Sequence, residues 1–225
     1  MGSALRVDLG CGNVKRDGFV GIDQFAGPRV DYVLDLTTDV YPFPDESVDE
    51  VFSAHFLEHI ESPDHVFSEI SRICRDGARI EFWTPYAFTN EAFLYGHLHG
   101  ITEAMWNHIG VAHRDEYIPM LKGRWQLERF VYVVDEVTIN DLADHGVDLD
   151  FALRYFKGVV QEFGVVIQFR RDLSIAAATP ERCHATSRFG EHHPLDAQSS
   201  GRVAAPARAA RVTTRIRRLA RKLRP

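Results

Sequence analysis

The chain has 225 residues, 45% of them apolar, enough for one substantial α/β core with an appendage. Its net charge of −6 conceals a split. Residues 201–225 hold nine of the 26 basic residues and no acid, so the rest carries 17 bases against 32 acids, a balance of −15 that argues against nucleic acid as a partner. No apolar run reaches the length of a membrane span, and no signal peptide precedes the first expected strand. Cys11, Cys74 and Cys183 are odd in number and follow no motif spacing, which points to reduced thiols in a cytoplasmic protein.

Leu5, Val7 and Leu9 form a short apolar run that carries Asp8 and ends in the turn Gly10-Cys11-Gly12. A run bounded by glycines predicts a buried parallel strand feeding a tight loop. Without a Cβ, such a loop approaches a ligand closely. A second run, residues 19–22, ends in Asp23. Ligands of open α/β sheets sit outside the carboxyl ends of the strands. A glycine turn beside an acid at the next strand tip therefore suggests a nucleoside site, with the acid accepting from ribose hydroxyls. A dinucleotide site would need G-x-G-x-x-G and a helix N-terminus for the pyrophosphate. Here Lys15 takes the third glycine position, and the second run follows too soon for more than a stub of helix. Cys11 has no base paired with it in sequence and is expected to fill the loop.

Residues 31–34 begin a third strand closed by Asp35 and Leu36, where Asp35 either faces a ligand or caps a turn. Residues 41–47, YPFPDES, predict a turn before a fourth strand over 48–53. Ser62-Pro63 offers an N-cap oxygen and a first-turn proline to a helix with Val66, Phe67, Ile70 and Ile73 on its apolar side. Asp76-Gly77 is expected to end that helix, and residues 78–83 to form a fifth strand. Strand and crossover in repetition predict a parallel sheet. From Tyr86 to Lys122 periodicity fades. Aromatic residues with His97, His99, His108 and His113 make this stretch the candidate acceptor loop. Residues 124–134 and 163–169 are expected as strands, one of them antiparallel, and 137–144 and 150–160 as helices.

D-L-G-C-G at residues 8–12, with Asp23 beyond it, resembles motif I of the class I S-adenosylmethionine-dependent methyltransferases; Val14 stands where many members carry a third glycine. The run FPDESVDEVFSAHFLEHI, residues 43–60, is similar to the same family over its whole length. The resemblance implies an α/β fold with a doubly wound, seven-stranded, mostly parallel sheet. It implies S-adenosyl-L-methionine as cofactor and S-adenosyl-L-homocysteine as product. It also implies cofactor contacts from Asp8, Gly10, Cys11, Gly12, Asp23, Gln24, Asp35, Leu36, Ala54 and His55. Asp35 and Leu36 would flank the adenine, and Ala54 and His55 the methionine portion. Glu58 and His59 belong to an L-E-H-I turn that positions the next helix. The Asn/Asp-Pro-Pro-Tyr/Phe tetrapeptide of enzymes that methylate amide or exocyclic nitrogens does not follow the fourth strand.

Residues 95–102, YGHLHGIT, look like the H-x-x-x-x-[FT] stretch of small methyltransferases in polysaccharide, O-antigen and glycolipid pathways. With G-C-G-N-V-K-R-x-G-F and L-E-H-I, the likeness extends to short bacterial sugar O-methyltransferases, including the type that methylates mannosides for mycobacterial methylmannose polysaccharides. It implies methyl transfer to a hydroxyl of a sugar or other small glycan precursor. A hydroxyl needs a base, for which His97 is the first choice and His99 the second. A divalent metal gathered by His97, His99, His113 and Asp115 is the alternative. It is not favoured, because histidines at i and i+2 share a face only on a strand, so no metal ligand is assigned. A non-catalytic cofactor-binding protein and a nucleic-acid methyltransferase anchored by the basic tail stay open. The acidic body and the missing tetrapeptide oppose the latter.

The chain thus divides into a methyltransferase domain over 1–179, a flexible linker over 180–206, rich in Ser, Pro, Ala and His, and a basic tail over 207–225. In the tail Val212, Ile216, Leu219 and Leu223 recur on one helical face, flanked by Arg211, Arg215, Arg217, Arg218, Arg221, Lys222 and Arg224. Such a helix lies on an anionic membrane, here its inner face, or folds back on the acidic body. The oligomeric state stays open, with a homodimer among the options.

Overall fold

The computed structural model describes residues 4–195. Nine strands are β1 Arg6–Leu9, β2 Val20–Asp23, β3 Tyr32–Val33, β4 Val48–Ala54, β5 Cys74–Pro85, β6 Arg124–Val133, β7 Glu162–Arg170, β8 Glu181–Ala185 and β9 His193–Pro194. They form one sheet in the order β3-β2-β1-β4-β5-β7-β6-β8-β9. β1 pairs in parallel with β2 and β4, β2 with β3, and β4 with β5, so five carboxyl ends share one edge. β7 enters antiparallel between β5 and β6. This is the α/β, mostly parallel arrangement expected, with nine strands in place of seven.

The α-helices among the described residues are α1 Asp64–Ile73, α2 Glu103–Asn107, α3 Ile118–Leu121, α4 Glu136–Asp144 and α5 Leu149–Tyr155. Side chains alternate along a strand, and one face of the sheet turns Val7, Leu9, Ile22, Val51, Ile80, Phe82, Val165 and Ile167 into the main core. Val66, Phe67, Ile70 and Ile73 of α1 and Leu153 of α5 close over it. Phe82 stacks between Trp106 and Trp125, centroids 5.2 and 5.8 Å away, and the Trp125 indole donates to Ser71 Oγ at 3.0 Å, so its one polar atom is satisfied. The opposite face holds a smaller cluster of Phe19, Phe52, Trp83, Val131, Val133 and Ala185.

Between β1 and β2 the chain forms turns rather than a helix, as the short spacing predicted. Elsewhere the structure corrects the sequence reading. Asp76-Gly77 does not end α1. β5 already begins at Cys74, and residues 75–78 bulge between the Val48–Cys74 and Glu50–Arg79 pairs, around Gly77 at φ 82°. The second helix of the β6–β7 connection stops at Tyr155, and the candidate acceptor loop contains α2 and α3. The expected linker over 180–206 is also corrected in its described part. β8 pairs in parallel with β6, burying Cys183 and Ala185, while Arg182 Nε donates to the Tyr132 hydroxyl at 3.1 Å and its guanidinium pairs with Asp150 of α5. The tail over 207–225 lies outside the described residues. Among those described, no helix is long and apolar enough to cross a membrane.

Candidate active site

The glycine turn leaves β1 with Gly10 at φ 67° and Gly12 at φ 50°, left-handed conformations that favour glycine. It is laced to the tip of β2: the Gly10 and Cys11 N–H groups donate to Ile22 O at 2.9 and 3.1 Å, and the Gly12 N–H to Asp23 Oδ2 at 2.9 Å. A Cβ on Gly10 would lie 2.8 Å from Phe56 Cβ, whereas one on Gly12 would meet nothing within 4 Å. The turn is thus packed on one side and open on the other.

Two clefts meet at Gly10. The narrower is lined by Asp23, Gln24, Asp35, Leu36 and Phe56. Asp23 Oδ1 accepts from the Phe25 N–H at 2.9 Å, and a carboxylate has about four acceptor positions, so both its oxygens keep free ones. Asp35 does cap a turn, its Oδ1 accepting from the Thr37 hydroxyl and N–H at 2.7 and 2.8 Å, and these bonds hold its carboxyl below the usual range. It lines the cleft as well.

The wider cavity, about 630 Å³, is lined by Asp8, Cys11, Gly12, Ala54, His55 and Arg188 among others. Burial pushes the Asp8 carboxyl up to about 6, against the pull of the Arg16 N–H that it accepts at 2.8 Å. Burial also pushes the Cys11 thiol up to about 11, which leaves it inert as a nucleophile, in line with a loop filler.

His55 sits at φ 54°, a left-handed backbone uncommon for a non-glycine residue and concentrated at functional sites. Its N–H is fixed on Trp83 O at 2.8 Å, and its ring lies between Glu162 Oε1 at 2.9 Å and Glu58 Oε1 at 3.1 Å. Those hydrogen bonds, Glu162's first, push His55 up to about 9, so it is an imidazolium at neutral pH. Burial works to raise Glu162, but His55 and Arg188 more than offset it and hold that carboxyl below its ordinary value.

His97 is brought to this cluster through Glu58. Ligating atoms of Glu58, His59 and His97 all lie within 4.8 Å of one another, and the two imidazoles meet edge to face with centroids 4.7 Å apart. His99 goes elsewhere: its Nε2 lies 2.8 Å from Ile60 O and 3.1 Å from Glu61 O, and it lines a separate groove with Leu57 and Met105. His113 pairs with Glu116 and Asp115 with Arg124, so the four-residue metal set considered from sequence is not assembled.

Sequence reasoning missed Glu162 and Arg188. An acid opening the apolar run EFGVVIQF was the available signal for Glu162. Arg188 gave none, since its segment reads as linker by composition.

Residues 7–82 match the methyltransferase domain family. An S-adenosylmethionine-dependent methyltransferase from Archaeoglobus fulgidus superposes with a TM-score of 0.54 at 17% identity, over 74% of this chain and 86% of that one. Over residues 7–82 the chain resembles a methyltransferase domain, and the superposition shows a shared fold. A methyltransferase from Mesorhizobium loti gives a TM-score of 0.48 at 15% identity, over 74% and 91% of the two chains. Geranyl diphosphate C-methyltransferase from Streptomyces coelicolor, solved with Mg²⁺, geranyl diphosphate and S-adenosyl-L-homocysteine, gives 0.43 at 17% identity, over 74% and 73%. No curated protein matches the sequence. The Archaeoglobus protein is an S-adenosylmethionine-dependent enzyme, and the residues present here fit that cofactor. The bare side of the Gly12 turn opens on space, and the Asp23 carboxylate keeps acceptor positions for ribose hydroxyls.

Proposed function

We propose that this chain is a methyltransferase, moving the methyl group of S-adenosylmethionine to a hydroxyl of a small acceptor, a sugar or glycan precursor. In this reading Asp23 accepts from the ribose, and Gln24, Asp35 and Leu36 surround the adenine. The Gly10–Gly12 turn with Asp8, Ala54 and His55 borders the methionine portion. The acceptor oxygen attacks the methyl carbon in line, the C–S bond breaks, and its electron pair stays on sulfur, which becomes a neutral thioether. The main task of the protein is alignment. The hydroxyl proton passes to an imidazole, which we assign to His97 rather than His99, whose Nε2 is occupied by two carbonyls.

The observation that carries the reading is the imidazole–carboxylate cluster around buried Glu58 at the carboxyl end of β4, beside the glycine turn. Alignment alone suffices for a neutral amine; a cluster able to handle a proton suits a hydroxyl. Exposed Phe88, Phe93 and Tyr95, next to His97 in sequence, offer the flat apolar faces on which sugar rings rest. Purified full chain with labelled cofactor, screened against mannosides, other glycosides, glycolipids and small amines, tests it. Label is expected in a glycoside, and His97→Ala is expected to lower turnover roughly 100-fold with cofactor affinity kept. Label in an amine alone would reject the hydroxyl acceptor, and near-normal turnover of the variant would remove His97.

A further inference from the structure

We infer that Glu58, His59 and His97 form a binding site for one divalent transition-metal ion of the zinc, cobalt or iron(II) class. Two of the three donors follow one another in the turn after β4, and the third reaches in from the acceptor loop, with all three ligating atoms within 4.8 Å.

The state of each lone pair carries the inference. Glu58 is buried; its Oε1 faces His55 Nδ1 at 3.1 Å, and its Oε2 has no hydrogen-bond partner among the described residues. A buried carboxylate oxygen left unpaired costs about 1–3 kcal/mol in general, so natural sites rarely keep one without a use. His97 Nδ1 is likewise buried without a partner among the described residues. The His59 ring is held by Gly96 O, 3.1 Å from its Nδ1. A carbonyl there requires Nδ1–H, which leaves the Nε2 lone pair free. Ligating histidines are commonly oriented this way, with the second nitrogen donating to a backbone carbonyl. Each of the three side chains therefore keeps an unused electron pair, and a ligand atom of each lies within 4.8 Å of the other two.

A plain hydrogen-bonded cluster would look different, since a proton shared between Glu58 Oε2 and either imidazole would satisfy two of these atoms. The donor set selects the ion: two imidazoles and one carboxylate suit zinc, cobalt and iron, whereas magnesium and calcium prefer all-oxygen sites. Three protein ligands also leave positions open. The hydroxyl-acceptor reading bears only on the ion's task and not on its binding. On that reading the bound ion would acidify an acceptor hydroxyl at an open position, with the proton leaving to water, so that His97 is a ligand in the metal-loaded protein and the base only in the ion's absence.

The test is titration of metal-stripped full-length protein with cobalt(II) and zinc(II), followed by visible absorption and calorimetry. One equivalent of cobalt is expected to bind with the bands of a nitrogen-ligated ion, and zinc to displace it. His59→Ala and His97→Ala are each expected to weaken binding 100-fold or more. Because Glu58 is buried, Glu58→Gln is paired with a thermal melt, and solvent-exposed His59→Ala serves as the variant least able to disturb the fold. No binding tighter than that of the His59→Ala, His97→Ala double variant would overturn the site. Cofactor calorimetry on the same sample separates the two readings: cobalt bound without S-adenosylmethionine binding defeats the methyl-transfer reading alone, and the reverse defeats the metal site alone.

Discussion

Asp23 accepts from Gly12 with one carboxylate oxygen and from Phe25 with the other, so the same group ties the glycine turn to β2 and faces the narrow cleft. Replacing it by alanine removes both turn bonds and leaves ribose hydroxyls without an acceptor. Calorimetry on Asp23→Ala is expected to show S-adenosylmethionine binding weaker by about 1–3 kcal/mol, roughly 5- to 150-fold. Unchanged affinity would take the β2 tip out of the cofactor site. Asp8, one strand over, has a different problem. Its carboxyl titrates near 6 in the folded chain, against about 4 when unfolded. Below pH 4 both states hold the proton; between 4 and 6 only the folded state does, so stability falls as pH rises through that window. The loss is on the order of 3 kcal/mol for a shift of this size. Asp8→Asn keeps an oxygen for the Arg16 N–H and cannot ionise. Urea unfolding across this range should show the parent losing stability relative to the variant as pH rises toward neutral, and parallel curves would contradict a protonated Asp8.

At the scale of elements, what the sequence disclosed followed from pattern strength. The apolar runs of β1, β4 and β5 and the stripe of α1 are periodic and bury nearly every predicted position. Gly10, Asp23 and Asp35, expected at the strand tips, line the narrow cleft. β8 escaped because its five residues include a salt-bridged Arg182 and bury only Cys183 and Ala185, too few to register as a strand among serines and prolines. Glu162 and Arg188 escaped for a related reason: Glu162 pairs with both His55 and Arg188, which joins residues from three distant parts of the chain, and no local signal encodes it. β7 shows how tightly the middle of the sheet is specified. Gly164 faces the Trp83 ring on β5, and a Cβ there would come within 2.5 Å of it. Trp83 is buried and has no room to retreat. Gly164→Ala is therefore expected to cost about 1–3 kcal/mol by overpacking, measured as a lower urea midpoint with unchanged slope. A midpoint equal to the parent's would mean that the Trp83 ring yields to the added methyl group.

For the molecule as a whole the outstanding fact is charge segregation, with −15 on residues 1–200 against nine bases on the last 25. A tail that served only solubility would not need its apolar residues in register, yet Val212, Ile216, Leu219 and Leu223 keep helical spacing with basic neighbours on both sides. We propose that this segment docks on anionic membrane, where each basic residue near the surface contributes about 1 kcal/mol and the apolar stripe enters the interface. A lipid-linked glycan would then meet the active site at the surface where it resides. Competition comes from the acidic body itself, which attracts the same tail within a Debye length of about 10 Å at 0.1 M salt. Anionic vesicles offer a higher charge density and an apolar layer, and so should win at low salt. In a flotation assay the full chain is expected to rise with anionic vesicles, to stay down with neutral ones, and to be released as salt increases. Residues 1–200 alone should not float, nor should a full chain carrying Arg215→Gln, Arg217→Gln and Arg218→Gln float as well as the parent. If the full chain remains with the soluble fraction at low salt, the tail folds back on the body or stays in water, and the membrane reading ends there.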